Sequence, residues 1–411
     1  MASLLKAHAT TLMTCGVLSV GLIAPLAHAA TFQPVGPTSA TASSIAQSVN
    51  STGKVVGAIG SDTPGGPDRA WVDPGVALTP LNSGDSCRAN SISNEPSTGS
   101  PNRILGVCTA PSGLARVTTW SSGLNNPTED KPLSLLGTGL LPDTSAKATS
   151  RSRVTGFTAG QSLNSAGQAT SVVWNQGNAV ALALLDVPLV RDNCLPVGVN
   201  NQAFNNLAIA LNCPGPGGTV TPKLATNGLL GFTVVNLQVP TNSHCELVAV
   251  NTQRQVFGTC LDPATSKPTA AYWETPSSAP KLLNMSGHPA NQAKFANELG
   301  YVAVTYQLTS GGFGAALWQP AASRIWFVTP PANITSLAIV ALASSNRLLL
   351  DQTNTAQIVN GATWTVENGL QAWGSYQGQP VQGIDMDSSG SYAAATATVA
   401  GKVVALRAIL P

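Results

Sequence analysis

Two histidines follow residue 29, and they bound the acid–base chemistry open to this chain. His244 and His288 each precede a strand-like run, at the same place in adjacent copies of a repeat. Such a pair is raw material for a metal site or a proton-transfer pair. Neither has a second ligand at metal spacing, so the favoured reading is two loop histidines. A Ser–His–Asp group would have to pass through one of them, and no Gly-x-Ser-x-Gly elbow is present. Asp385-Met386-Asp387-Ser388-Ser389-Gly390 opens like a calcium loop but lacks the later acidic ligands a hard cation needs. It falls where a turn between two strands is expected, so Asp385 and Asp387 read as hairpin residues. Trp326 and Trp373 lie on apolar runs expected as outer strands. An exposed ring there could stack on a sugar, but packing is the favoured role. No catalytic residue, cofactor or metal is assigned.

These residues sit on a sentence that the chain writes about eight times. Its clearest copy is Ser44-Ile45-Ala46-Gln47-Ser48-Val49-Asn50-Ser51-Thr52-Gly53-Lys54-Val55-Val56-Gly57, two strand-like runs around a turn, with Arg69-Ala70-Trp71-Val72 as a third strand. Aligned on the turn, the copies fall at Asn50, Asn94, Ser150, Asn200, Asn251, Glu298, Ala343 and Asp387, a period of about 48 residues. That is the length of a four-stranded propeller blade. Trp120, Trp174, Trp273 and Trp318 recur at the ends of third strands and read as packing between blades. Small Gly or Ala residues recur on second strands, where crowding near a central axis is expected. The fold class expected is all-β: a propeller of eight four-stranded blades, with seven as the runner-up. The last copy stops short of a fourth strand, while Thr31-Phe32-Gln33-Pro34-Val35 stands alone before the first copy. Pairing those two segments would close the ring and hide its open sheet edges.

Six cysteines follow residue 29. In three copies a Cys precedes the first strand and another ends the second, and the ends of an antiparallel hairpin lie within disulfide reach. The pairs expected are Cys87–Cys108, Cys194–Cys213 and Cys245–Cys260. CxxC-type metal spacing is absent.

The copies resemble the HAF-type extracellular repeat family of exported bacterial proteins, whose repeat reads approximately Ser-x-Ala-x-x-Ile-Asn-x-x-Gly-x-Val-Val-Gly, then Arg-Ala-Phe-x-Trp. The first copy matches at Ser44, Ala46, Val49, Asn50, Gly53, Val55, Val56, Gly57, Arg69, Ala70 and Trp71. The fifth keeps Ala249, Val250, Asn251, Val256 and Gly258; the second keeps Ala89, Ile92, Asn94, Leu105 and Gly106. The resemblance implies an exported β-propeller-like protein and brings no catalytic residues.

Composition agrees with export. Lys6, an apolar run from Leu12 to Leu26 and Ala27-His28-Ala29 form a secretory signal peptide over residues 1–29, leaving 30–411 as one propeller domain. No later segment has the ~18 uncharged apolar residues of a membrane span. Only 9% of residues are charged, with 20 Lys and Arg against 18 Asp and Glu. No basic block exists to neutralise phosphates, which argues against nucleic acid. The expectation is an exported, monomeric, non-catalytic propeller that binds an unknown protein or glycan on the face stapled by the disulfides, or serves as a scaffold. The alternative is a propeller enzyme acting on extracellular glycans.

Overall fold

The computed structural model describes residues 29–411 apart from 40, 64, 95–102, 122–125, 135–142, 176, 183–190 and 229–230. The signal-peptide expectation lies almost wholly outside these residues. So does part of the apolar outer strand expected around residues 181–185.

Eight antiparallel sheets are arranged as the blades of a propeller. The inner strands, in blade order, are Ser44–Val49, Ser86–Ile92, Ser145–Arg151, Leu195–Val199, Cys245–Val250, Asn291–Ala296, Ile334–Leu342 and Gln379–Met386. In blades 1 to 7 the chain steps outward through three further strands before crossing to the next inner strand. Blade 8 takes its second and third strands from Tyr392–Val399 and Lys402–Ile409. Its outermost strand is Thr31–Pro34, from the other end of the domain, with Thr31 opposite Ile409 and Pro34 opposite Leu406. Eight blades and the closing strand are as the repeat predicts; a ring of seven is not formed. Ala30, just ahead of the closing strand, is buried.

The core is divided into eight apolar layers, one per seam between neighbouring blades. Val56, Ala70 and Leu78 of blade 1, for example, pack on Ala89, Ile104 and Trp120 of blade 2. The closing seam uses the same chemistry: Ala394 and Ala405 of blade 8 meet Ala46, Val49 and Trp71 of blade 1. The recurrent tryptophans clamp these seams. The indole N–H of Trp120 donates to the Thr79 carbonyl at 2.7 Å, Trp174 to Lys131 at 2.8 Å and Trp273 to Gln238 at 2.7 Å. Each acceptor lies on the segment leaving the preceding blade, so one side chain both fills a seam and pairs its indole N–H with a main-chain carbonyl.

Every inner strand carries a β-bulge at the same place. The unpaired residues are Gln47, Asn90, Thr149, Val197, Val248, Lys294, Val340 and Ile384. A bulge bends the strand and re-aims the side chain that follows it. It also explains the repeat's glycine. A Cβ on Gly57 would lie 1.9 Å from the Ile45 carbonyl oxygen, and on Gly106 2.0 Å from that of Arg88. The glycine is needed because the inner strand's own backbone presses on it at the bulge, rather than because blades crowd the axis.

The three disulfides join the expected pairs, with Cα separations of 4.1 Å for Cys87–Cys108 and 4.0 Å for both Cys194–Cys213 and Cys245–Cys260. Such bonds persist in oxidising compartments, which indicates an extracellular or periplasmic setting. Among the described residues no helix is long and apolar enough to cross a membrane.

One strand register differs from expectation. Val154-Thr155-Gly156-Phe157 resembles a second strand, but Gly156 has φ +73° and the Ser152 amide bonds the Phe157 carbonyl. This segment is the turn of blade 3, and its second strand is Thr158–Leu163. In the same way the turns of blades 2 and 6 start at Ser93 and Asn297, one residue before Asn94 and Glu298.

The seam between blades 7 and 8 carries a pH-sensitive group. Asp351, on the second strand of blade 7, accepts the Gly383 amide at 3.0 Å, and burial pushes its pKa up to about 6. The folded state therefore holds a proton that the unfolded chain has already lost between about pH 4 and 6. Stability from this group falls as pH rises through that window. Asp351→Asn keeps the acceptor and removes the charge. Relative to wild type it should gain roughly 1–3 kcal/mol at pH 7.5 and nothing near pH 4. Denaturant unfolding at both pH values checks this; equal differences at the two would refute it.

Candidate functional site: the ring of turns at the channel end

The inner strands run along the central channel and each ends in a connection to the second strand of its blade. Six of the turns are built alike, around the residue that starts them. Asn50 Oδ1 accepts the Lys54 amide at 2.9 Å, Asn251 that of Gln255 at 2.9 Å and Asn297 that of Tyr301 at 3.0 Å. Asn200 accepts the Ala208 amide and Ser152 Oγ that of Thr155. Asp387 does the same job with a carboxylate, taking the amides of Ser389, Ser391 and Tyr392 at 2.7–2.8 Å. These are side-chain mimics of a backbone turn, so Asp387 is a hairpin residue as expected.

The next residue in each blade forms a ring about the axis: Ser51, Asn94, Arg153, Asn201, Thr252, Glu298, Ser344 and Ser388. Hydrogen bonds link its members round and across the ring. Asn94 takes the Ser51 amide at 3.0 Å, donates its Nδ2 to Ser388 Oγ at 3.0 Å and sends its own amide to the Arg153 carbonyl at 2.8 Å. Asn201 accepts from Ser152 Oγ at 2.8 Å and donates to Glu298 Oε1 at 2.5 Å, across blade 5. The Thr252 amide donates to Glu298 Oε2 at 2.7 Å. All eight positions are polar, and Arg153 and Glu298 are the two charged ones.

Asp385 departs from the sequence expectation. It follows the bulge of blade 8, where other blades carry Ser, Gly, Ala or Phe, and it is not a turn residue. Its carboxylate accepts Ser48 Oγ at 2.8 Å and the Val49 amide at 3.3 Å from blade 1. It also pairs with the Arg153 guanidinium of blade 3, whose other nitrogen donates to the Met386 carbonyl at 2.6 Å. One buried carboxylate thus ties three blades. The negative charge beside Arg153 raises its pKa despite the burial that opposes it. Arg151 lies two residues earlier and bonds the Ser91 carbonyl at 3.2 Å and the Arg103 carbonyl at 2.8 Å. Desolvation lowers its pKa to about 9.

These bonds draw blade 8 to blade 3, so the open channel at this end is bounded by blades 3 to 8. It is a chamber of about 420 Å³ lined by Arg153, Asn201, Glu298, Ser388, Val154 and Phe295, among others. At the opposite ends of the inner strands a groove crosses blades 5 to 7. It consists of two cavities of about 350 and 390 Å³ that share Pro268, Gln292 and Lys294.

The other sequence candidates are dispersed. His244 is exposed and lines the groove beside Glu246. His288 packs on Tyr306, ring centroids 4.4 Å apart, with Nδ1 3.3 Å from the Gln307 carbonyl. Neither imidazole is hydrogen-bonded to a carboxylate or hydroxyl among the described residues. Trp326 stacks on Tyr301 at 6.1 Å and is half-buried in the seam between blades 6 and 7. Trp373 follows the outer strand Gly369–Ala372 instead of lying on it, and its ring is buried against blade 8. Neither ring is a free sugar platform. The ring of turns and the chamber escaped sequence reasoning, although the residue after each turn was in view in every copy.

No protein-family model and no curated protein matches the chain. Solved structures share its fold. Dipeptidyl peptidase 4 from Porphyromonas gingivalis aligns over 91% of this chain and 60% of its own, with TM-score 0.52 and 12% identity. A structure from an analysis of two prolyl endopeptidases aligns over 80% and 50%, with TM-score 0.50 and 13% identity. Prolyl oligopeptidase B from Galerina marginata, bound to a 35mer hydrolysis and macrocyclization substrate, aligns over 90% and 55%, with TM-score 0.50 and 8% identity. This chain therefore spans half to three-fifths of those proteins, and at such identities the likeness is one of fold. The expectation of a non-catalytic binding or scaffold protein is corrected only this far: these three structures belong to peptidases, which are catalytic, while at such identities the likeness carries the fold alone.

The hub at Asp385 can be tested. Asp385→Ala should lower stability by roughly 2–4 kcal/mol, because Ser48 and Arg153 lose their acceptor together. The double variant Asp385→Ala with Arg153→Met should recover part of that loss, as the stranded charge is gone. Denaturant unfolding of the three proteins decides it; a cost under about 0.5 kcal/mol for Asp385→Ala, the level of an ordinary surface change, would show that the hub is not structural.

Proposed function

We propose that this chain handles extended peptide segments in the service of peptide-bond hydrolysis. The groove across blades 5 to 7 carries the reading. Its two adjoining cavities make one trough, with Phe313 and Tyr306 at one end and His244 and Glu246 at the other. Phe313 is half exposed. An extended peptide advances ~3.3 Å per residue and turns alternate side chains to opposite sides. A trough that is apolar at one end and polar at the other suits such a segment, with Lys294 in the middle available to a carbonyl or carboxylate. That the three solved structures reported above belong to peptidases supports the same reading. On this reading the described residues hold substrate, and the hydrolytic nucleophile comes from outside them.

The test is to titrate fluorescently labelled unstructured peptides and to follow their cleavage by mass spectrometry. Phe313→Ser and Lys294→Ala should each weaken binding about five-fold, the loss of roughly 1 kcal/mol that sets contact residues that matter apart from near-neutral ones. Melting temperatures should not change. Wild-type protein that neither binds nor cleaves any peptide in a diverse set would overturn the proposal, as would binding indifferent to both substitutions.

Location belongs to the same proposal. Residues 1–29 act as a cleaved export signal, in keeping with the resemblance to exported HAF-type repeat proteins and with the three disulfides. Cleavage after Ala29 would free Ala30 to fold beside the closing strand. N-terminal sequencing of the exported protein should begin at Ala30; retention of residues 1–29 in folded, disulfide-bonded protein would contradict it.

A further inference from the structure

The chamber inside the ring of turns is lined by a carboxylate with no counter-ion in contact, Glu298, and by the Arg151 guanidinium, whose bonds go to the Ser91 and Arg103 carbonyls. Arg153 has its counter-ion in Asp385. Glu298 has none among the described residues: its partners are the neutral Asn201 amide and the Thr252 backbone N–H. Those two donors fix the carboxylate in place. Asn201 is itself pinned by Ser152, and Thr252 presents main chain from the tight turn of blade 5. Each carboxylate oxygen accepts a single bond and retains a lone pair for a second donor.

A second observation at the same cavity points to the kind of ligand. Phe295 occupies the post-bulge position of blade 6, where blades 1 to 5 and 7 carry Ser, Gly or Ala. The bulge re-aims the residue that follows it, and here that residue is a large aromatic ring, 38% exposed and lining the chamber. An exposed Phe costs solvation that a small residue at this position avoids. An unneutralised carboxylate and an aromatic ring lining one concave site are the pairing that attracts an organic cation: charge from one, ring quadrupole from the other. Serine hydroxyls of Ser344 and Ser388 line the same cavity and add acceptors for further N–H groups.

We propose that the chamber is a binding site for a protonated primary amine, with Glu298 as its counter-ion and Phe295 as its apolar wall. The site is separate from the groove of blades 5 to 7 and does not rest on the peptidase reading. A primary ammonium can be supplied by a peptide's α-amine or by a lysine side chain, and the two are separated by their probes.

The experiment is calorimetric titration of the mature protein with Ala-Ala amide, with Nα-acetyl-lysine amide and with lysine amide acetylated on both nitrogens. At least one of the first two should bind and the third should not. Glu298→Gln should weaken binding at least ten-fold, and Phe295→Ala by about two- to five-fold, as expected for a cation–π contact of ~0.5–1 kcal/mol. A pH series on wild-type protein needs no variant. Affinity should fall as the bound amine deprotonates, above about pH 8 for an α-amine and about pH 10 for a lysine side chain. The proposal is overturned if neither amine binds, if the doubly acetylated probe binds as well, or if affinity ignores both Glu298→Gln and the amine's ionisation.

Discussion

The structure depends on one pairing, that of Thr31–Pro34 with Leu406–Ile409. Seven seams of the ring join blades that follow one another in the chain. The eighth must be made from segments at opposite ends of the domain, and until it forms, the last sheet has a bare edge and blade 1 has an uncovered face. Its reinforcement is correspondingly dense. Arg407 donates to Gln33, to the Gly53 carbonyl at 3.2 Å and to Asp73 at 2.8 Å. Burial nevertheless holds the Asp73 pKa above the usual carboxylate range, outweighing the Arg407 charge. This pairing fixes the geometry of closure at a cost in desolvation, which is how buried ion pairs commonly act.

Closure makes the inner strands neighbours, and the shared bulge then decides what each presents to the axis. In most blades the re-aimed residue is small. In blade 8 it is Asp385, which reaches blades 1 and 3, and in blade 6 it is Phe295. The eightfold repeat thus builds a uniform frame with two exceptions, and both exceptions face the same end of the channel as Arg153 and Glu298. Departure from the repeat, rather than any single residue type, marks the site.

Much of the fold was legible because its determinants are local or periodic. The disulfides followed from Cys positions at hairpin ends, the blade count from the period, and the closing strand from an orphan segment facing an incomplete copy. The turn of blade 3 was illegible for a physical reason. Val154-Thr155-Gly156-Phe157 has the composition of a second strand, yet Arg153 must face Asp385, more than two hundred residues away, and the positive φ of Gly156 lets the chain turn there. The chamber was hidden likewise. Its ring residues are about one repeat apart in sequence, and ordinary Ser, Asn and Thr, six of the eight, carry no signal until closure brings them together with Arg153 and Glu298. Asp385 was misassigned because Asp387, two residues on, already does the turn's work.

The tryptophan contacts carry a direction. Each of Trp120, Trp174 and Trp273 bonds the exit of the blade before it, and each disulfide spans at most 21 residues, so a blade can be completed as soon as its predecessor exists. The buried indole N–H groups of Trp71 and Trp373 have no such acceptor. The contacts of Trp120, Trp174 and Trp273 each need the preceding blade's exit segment in place, and the loops within a blade cost little closure entropy. The final seam joins residues 374 positions apart and costs about 3 kcal/mol more in loop-closure entropy than a 15-residue hairpin. The repeat thus splits the ring's closure cost unevenly: seven seams join blades adjacent in the chain, and one contact carries nearly the whole long-range entropy.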